Sequence, residues 1–155
     1  NVWHHGDFAK ITRNFGFIIY GRSDATLNSG GVRIGTAELY RVVENIEEIN
    51  ECLAVEYKNK NDTDVILFTK LNKKNKFNNK LIKKIKRKIQ LSLSPKHVPK
   101  KIFYVNDIPK TKSGKIVELT VKKIINNEEI RNLSSLINPK CLAQYKSIAK
   151  NLNYE

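Results

Sequence analysis

The sequence predicts an α+β domain in which helices pack on a small mixed sheet, preceded by β-hairpins. Three observations lead there. Strand-type runs rich in Ile, Val, Phe and Tyr recur through the chain, apolar stripes at three- and four-residue spacing alternate with them, and glycine-bearing turns punctuate the early strands. The elements follow the mixed order β-β-α-β-β-α-β-α, which suits helices covering one small sheet.

Phe8–Thr12 and Phe17–Tyr20 flank the turn Arg13-Asn-Phe-Gly16 as a hairpin. A lone hairpin is marginal in water, so this one is expected to join a sheet elsewhere or to fold onto the remainder. Gly21-Arg-Ser-Asp24 breaks the pattern. A second hairpin pairs Thr26–Asn28 with Val32–Ile34 around Ser29-Gly30-Gly31, where glycine supplies positive φ. From Thr36 the period changes: Leu39, Val42, Val43 and Ile46 mark a helix of about three turns, with Gly35-Thr36 offering its N-cap. Strands Glu51–Tyr57 and Val65–Leu71 follow, joined by the polar turn Asn59-Lys-Asn-Asp62. A second stripe, Leu81, Ile82, Ile85, Ile89 and Leu93, lies opposite Lys80, Lys83, Lys84, Arg87 and Lys88, and Pro95 and Pro99 end that helix. The strand Ile102–Val105 leads into a loop from Asp107 to Lys115, then a helix carrying Val117, Val121, Ile124 and Ile125. One more short helix is expected between Asn138 and Lys150. No internal repeat is visible.

At 155 residues the chain fits one domain, and its 40% hydrophobic and 28% charged content is that of a globular one. No apolar run approaches the roughly 20 residues that span a bilayer, and no basic-then-apolar leader opens the chain, so a soluble, cytoplasmic protein is expected. The two cysteines, Cys52 and Cys141, have no metal or redox spacing and read as reduced thiols; no metal-ligand set is visible. The net charge of +14 would draw in phosphates, nucleic acid and anionic membranes. Arginine, the usual phosphate fork, occurs only at Arg13, Arg22, Arg33, Arg41, Arg87 and Arg131, whereas lysine is scattered with Asn and Ile. A solvated compositional background accounts for that pattern. A basic nucleic-acid or anionic-surface module is the alternative, but the chain lacks the interleaved aromatics of RNA readers.

Two segments combine charge, turn chemistry and placement between regular elements. In Gly21 to Ile34, Arg22 and Arg33 flank a tight hairpin, where both guanidinium groups could meet a phosphate or ribose; two surface arginines are the plain alternative. In Pro109-Lys-Thr-Lys-Ser-Gly-Lys115, a lysine on a glycine-flexed loop can act as a mobile point charge on a developing phosphoryl anion. The spacing is not that of a Walker loop, and a solvated basic turn is the alternative.

Taken together, Gly6-Asp7, Gly21-Arg-Ser-Asp24, Gly30-Gly-Val-Arg-Ile-Gly-Thr-Ala-Glu-Leu39 and Pro109 to Lys115 resemble, in order and spacing, the last signature motifs of the acyl-CoA synthetase, luciferase and peptide-synthetase adenylation family. The resemblance covers essentially the whole chain. It implies the C-terminal lid domain fold, ATP-dependent activation of a carboxylic acid as an acyl-adenylate, and transfer to CoA. Trp3-His-His-Gly-Asp-Phe8, LSPKHVP at 93–99, SGKIVELTVKKI at 113–124 and NPKCLAQYK at 138–146 are similar to the acetoacetate-activating branch. Val117-Glu118 stands where other branches place two basic residues.

The resemblance implies roles residue by residue. Asp7 matches the carboxylate on the ATP ribose and Arg22 the arginine assisting it. Arg33 matches the arginine that contacts phosphate or secures the lid, and Gly30 and Gly31 let pantetheine pass close to backbone. Asp24 matches the hinge and Lys115 the catalytic lysine. Lys86 or Arg87 reads either as a contact to the CoA 3′-phosphate or as part of a solvated face. Residues 1–23 then end the large N-terminal domain and approach the hinge, and 24–155 form the lid. The implied partners are that large domain, ATP, CoA and acetoacetate or a related short acid, with Mg²⁺ arriving on ATP and held mainly by the large domain. No specific nucleic acid and no membrane span are expected, and the chain alone is expected to be inactive.

Overall fold

Both middle strands are apolar at successive rather than alternate positions: Cys52, Leu53, Ala54 and Val55 are all buried, as are Val65, Ile66, Leu67 and Phe68. That is the pattern of strands covered on both faces. In the computed structural model they pair antiparallel as β5 (Ile49–Lys58) and β6 (Thr63–Leu71). Strand β7 (Lys101–Tyr104) adds parallel to β6, so the sheet is mixed and ordered β5-β6-β7. The structure describes residues 6–22, 26–29, 31–59, 62–130 and 133–152.

Alternation along the strands divides the core in two. Leu53, Val55, Ile66 and Phe68 face α3 (Glu118–Ile125) and α4 (Leu142–Leu152), meeting Val121, Ile125, Leu142 and Tyr145. Phe68 stacks on Phe103 at 5.9 Å and meets Tyr145 edge-on at 4.9 Å. Cys52, Ala54, Val65 and Leu67 face the other way, onto α1 (Thr36–Val43) and α2 (Asn79–Ser92). The same layer takes Leu27 and Ile34 from the hairpin β3 (Leu27–Ser29) and β4 (Val32–Ile34). Both thiols are free and buried; burial, with Glu44 beside it, pushes the Cys52 thiol well above its ordinary value.

Local chemistry sets the ends of the helices. Gly35 is the N-cap of α1 and its N–H donates to Glu38 Oε1 at 3.3 Å. The helix is shorter than its apolar stripe predicts. It stops at Val43, and Ile46 reaches the core from a tight turn in which its N–H donates to Val43 O at 3.0 Å. Asn78 caps α2 by accepting from Leu81 N at 2.9 Å. The C-terminal helix begins later than Asn138, after a 3₁₀ turn at Pro139–Cys141.

The first hairpin, β1 (Asp7–Ile11) and β2 (Phe17–Arg22), is a separate two-stranded sheet with a bulge at Phe8/Ala9. Thr12 closes its turn, donating to Gly16 O at 2.8 Å and accepting on Oγ1 from Gly16 N at 3.0 Å. Ile11, Phe15, Phe17 and Ile19 are each more than half exposed, so the hairpin carries apolar surface that this chain leaves uncovered. Among the described residues no helix is long and apolar enough to cross a membrane.

Strand β5 lies at the edge of the sheet, and side chains occupy four of its outward polar groups. Cys52 N donates to Glu44 Oε1 at 3.4 Å, Ala54 N to the Tyr40 hydroxyl at 3.1 Å and Lys58 N to Asn126 Oδ1 at 2.8 Å. Asn126 Nδ2 returns a bond to Glu56 O at 2.8 Å. The Tyr40 hydroxyl in turn donates to Glu118 Oε1 at 2.6 Å, joining α1 on one face to α3 on the other around the strand edge. Tyr40→Phe deprives a backbone N–H and a carboxylate of one partner at once. It should cost about 1–3 kcal/mol in urea unfolding of the chain, and a midpoint equal to wild type would show that the edge bond contributes nothing net.

Candidate active site

Beyond β7 the chain crosses the α3–α4 side of the sheet, anchored by the buried Val105, Ile108 and Pro109, and turns at Lys112-Ser-Gly114. Gly114 N donates to Thr111 O at 2.9 Å, Thr111 N to Lys115 O at 2.8 Å and Lys115 N to Thr111 Oγ1 at 3.1 Å. Gly114 has φ +81°, and a Cβ there would meet nothing within 4 Å, so backbone conformation rather than crowding calls for glycine. An isolated antiparallel bridge Lys110–Ile116 joins the two arms of the turn, and a second, Thr111–Leu136, ties the first arm to the segment before Asn138. Lys115 is exposed, and its ammonium has no ion pair or hydrogen bond among the described residues.

The other end of the same segment is built oppositely. Lys110 is half-buried, and its Nζ pairs with Glu51 of β5. Lys70, opposite Glu51 in the β5–β6 register, reaches Asp107 at 2.7 Å and Glu51 at 3.6 Å. Asn138 Nδ2 donates to Asp107 Oδ2 and to Ile108 O, the latter at 2.9 Å. Burial pushes the Asp107 carboxyl up, but the Lys70 and Asn138 hydrogen bonds override it and hold the group below its ordinary range. The Asp107 bond raises Lys70 against the opposing effect of burial. Sequence reasoning missed this network. The available signal was charge inside two apolar strands, Glu51 and Lys70, in register with one another.

On the other side of the sheet, the first hairpin sets Asp7 opposite Arg22 in register, and the Arg33 guanidinium lies over the Phe8 ring at 5.1 Å from its centroid. Asp7 and Arg33 are both exposed. The structure thus brings the strand bearing Asp7 beside the β4 arginine. Gly31 turns at φ +79° with open space where a Cβ would stand. Asp24 and Gly30 lie outside the described residues, and of Arg22 only the backbone is described. The β3–β4 hairpin is rooted in one core layer and the Lys115 loop in the other, so the sheet separates them.

Lys86 and Arg87 part company on α2. Lys86 is half-buried, donates to Lys100 O at 3.2 Å and lines a cleft of about 380 Å³ beside Ile102 and Phe103. Arg87 is exposed and lines an open groove of about 910 Å³ with Lys76, Lys80, Lys84, Lys88 and Glu48. Among the described residues no group of His, Cys, Asp or Glu could hold a metal ion.

The Asp107 geometry carries a pH signature. Its folded-state pKa lies below the ordinary 3.8, so its contribution to stability is complete above that value and is lost as the pH falls through the folded-state value. Asp107→Asn should therefore lower the thermal midpoint of the chain at pH 7, and the gap to wild type should close below about pH 3. A gap independent of pH would remove the charge of Asp107 from the account.

No protein-family model matches the chain. Curated relatives do match it: acetoacetyl-coenzyme A synthetase of Rhizobium meliloti (strain 1021) is 49% identical over 142 residues, covering 92% of this chain and 22% of its own length. Acetoacetyl-CoA synthetase of Xenopus tropicalis is 43% identical over 155 residues, 99% of this chain and 23% of its own length. Among solved structures, acetoacetyl-CoA synthetase from Streptomyces lividans superposes with a TM-score of 0.87 at 34% identity, over 96% of this chain and 23% of that one. The chain spans 22–23% of the length of these relatives. Identity at this level across nearly all its residues, on one shared fold, makes the chain similar to a C-terminal portion of the acetoacetyl-CoA synthetases.

Proposed function

We propose that the chain is the mobile lid of an ATP-dependent, AMP-forming acid–CoA ligase acting on acetoacetate, and that it delivers Lys115 to the adenylation step. The observation that carries this reading is the contrast within one loop: Lys110 pairs with Glu51, whereas Lys115 stands exposed on a glycine turn with no partner among the described residues. Adenylation brings two anions together. A carboxylate oxygen bonds to the α-phosphorus as the bond to pyrophosphate breaks, and an ammonium held at the junction offsets the charge on both oxygens. In the second step the CoA thiol takes the acyl group and AMP leaves.

Asp7 with Arg22 is assigned to the ribose, Arg33 to phosphate or to securing the lid, and the Gly30-Gly31 turn to the passage of pantetheine. For the CoA 3′-phosphate, Arg87 is the freer candidate, because the Lys86 amine already donates to Lys100 O. Mg²⁺ is assigned to ATP, held mainly by the large domain of the longer protein. The complete reaction belongs to that longer protein, of which residues 1–23 would end the large domain and 24–155 form the lid. The exposed apolar residues of the β1–β2 hairpin support that boundary, because they suit a surface covered by neighbouring chain. Two free, buried thiols suit a reducing compartment such as the cytoplasm.

The Lys115 loop and the Gly31 turn sit on opposite layers, so one fixed lid orientation would not serve both half-reactions; a rotation at Asp24 would. In the full-length protein, Asp24→Pro fixes φ and should slow one half-reaction far more than the other. Equal slowing would remove the main support for rotation. Lys115→Ala should reduce adenylate formation by about 10²–10³-fold and leave thioester formation from preformed acetoacetyl-adenylate and CoA near wild type. An equal defect in both assays would take Lys115 out of the adenylation step.

A further inference from the structure

The segment that leads to Lys115 has almost no backbone partner of its own between Val105 and Lys110, and Pro109 in its middle has no N–H to offer. Its polar groups are met instead by side chains from one stretch near the C-terminus. Asn106 N donates to Gln144 Oε1 at 2.7 Å, and the Tyr145 hydroxyl donates to Asp107 O at 3.0 Å. Asn138 straddles the proline: its Nδ2 donates to Ile108 O and its Oδ1 accepts from Lys110 N, each at 2.9 Å. Its side-chain amide thus stands in for a peptide unit of a neighbouring strand. Main-chain pairing resumes at the proline carbonyl, which accepts from Val117 N at 3.0 Å, and continues one residue on, where Ile137 N donates to Lys110 O at 2.9 Å.

We infer that Asn138 is a positioning residue for Lys115, acting through the Lys110–Thr111 arm of the turn. The inference rests on the reading that Lys115 serves adenylation. Lys110 bridges Ile116, and Thr111 exchanges two hydrogen bonds with Lys115, so a displacement of the first arm passes directly to the second. From the sheet side, Glu51 holds the Lys110 ammonium and Lys70 holds the Asp107 carboxylate. Asn138 supplies what those ion pairs cannot, the fixing of main-chain height and register on both sides of Pro109. No other side chain of that length offers a donor and an acceptor on one planar group. Alanine strands the Ile108 carbonyl and the Lys110 N–H. Aspartate turns an acceptor toward the Ile108 carbonyl and the Asp107 carboxylate, and so repels both.

The test uses the full-length protein, with adenylate formation from ATP and acetoacetate measured separately from thioester formation from preformed adenylate and CoA. Asn138→Ala should lower kcat for adenylation about ten- to a hundredfold, with KM for ATP within about twofold of wild type. The thioester step should be unchanged, and Asn138→Asp should be slower than Asn138→Ala. Hydrogen exchange in the same variants should quicken at Lys110 and Lys115 and stay slow along β6. Equal slowing of both half-reactions, or exchange quickened throughout the domain, makes Asn138 a general fold residue and overturns the inference. Unchanged adenylation overturns it as well. Lys115→Ala, run alongside, separates the failures: if it adenylates at the wild-type rate, the reading of Lys115 falls and this inference with it, whereas a slow Lys115→Ala beside a normal Asn138→Ala sinks this inference alone. If neither Asn138 variant folds, Gln144→Ala, which frees the Asn106 N–H at the far end of the segment, must give a smaller loss confined to adenylation; a loss shared by both steps, or none, counts against the inference.

Discussion

Strand β6 has a partner along each edge and an apolar layer on each face, and the rest of the domain is arranged around that enclosure. Four consecutive residues, Val65 to Phe68, have nowhere polar to point, so every element packed against them must bring an apolar stripe. Helices α1 and α2 bring theirs to Val65 and Leu67, and α3 and α4 to Ile66 and Phe68. A three-stranded sheet is too small to hold two independent cores by hydrogen bonding alone. Each layer is stable because the other fixes the sheet it rests on.

This enclosure also explains why the polar elements sit where they do. Loops that carry charge can leave the sandwich only at its rims, and the Lys115 turn leaves from one layer while the Gly31 turn leaves from the other. On the proposed reading, a single rigid body presents two chemistries, and what changes between half-reactions is which face meets the substrate. Rigidity is then a functional requirement. The Tyr40–Glu118 bond around the edge of β5 ties together the helix that follows the Gly31 hairpin and the helix that follows Lys115, so the two faces move as one.

The elements were largely legible because each is a local pattern. β-rich runs around glycine turns gave the hairpins, three-and-four spacing gave the helices, and the unbroken apolar runs at 52–55 and 65–68 belong to strands buried on both sides. The end of α1 was not legible, since Ile46 continues the apolar stripe whether it lies on a helix or on the turn after it. The Lys115 loop was marked by its motif, but its support was not. Glu51, Lys70, Asp107, Lys110 and Asn138 come from distant stretches, and a sequence does not record which charges meet across a sheet. Lys110 and Lys115 are the same residue type five positions apart, and only the register of the turn makes one an anchor and leaves the other without a partner among the described residues. Lys86 and Arg87 are neighbours in sequence, yet about 100° of helical turn sends them into different depressions.

The sealed edge of β5 has a consequence beyond its contribution to folding. An open strand edge is a template on which another chain can add a strand, and a domain that swings on a hinge would expose such a template at each excursion. Here Glu44, Tyr40 and Asn126 occupy four outward groups of β5, the N–H of Cys52, Ala54 and Lys58 and the carbonyl of Glu56, and all three belong to the domain itself. If the domain turns as proposed, those bonds travel with it in every orientation. An incoming strand would have to displace those side chains first, whatever surface the domain faces.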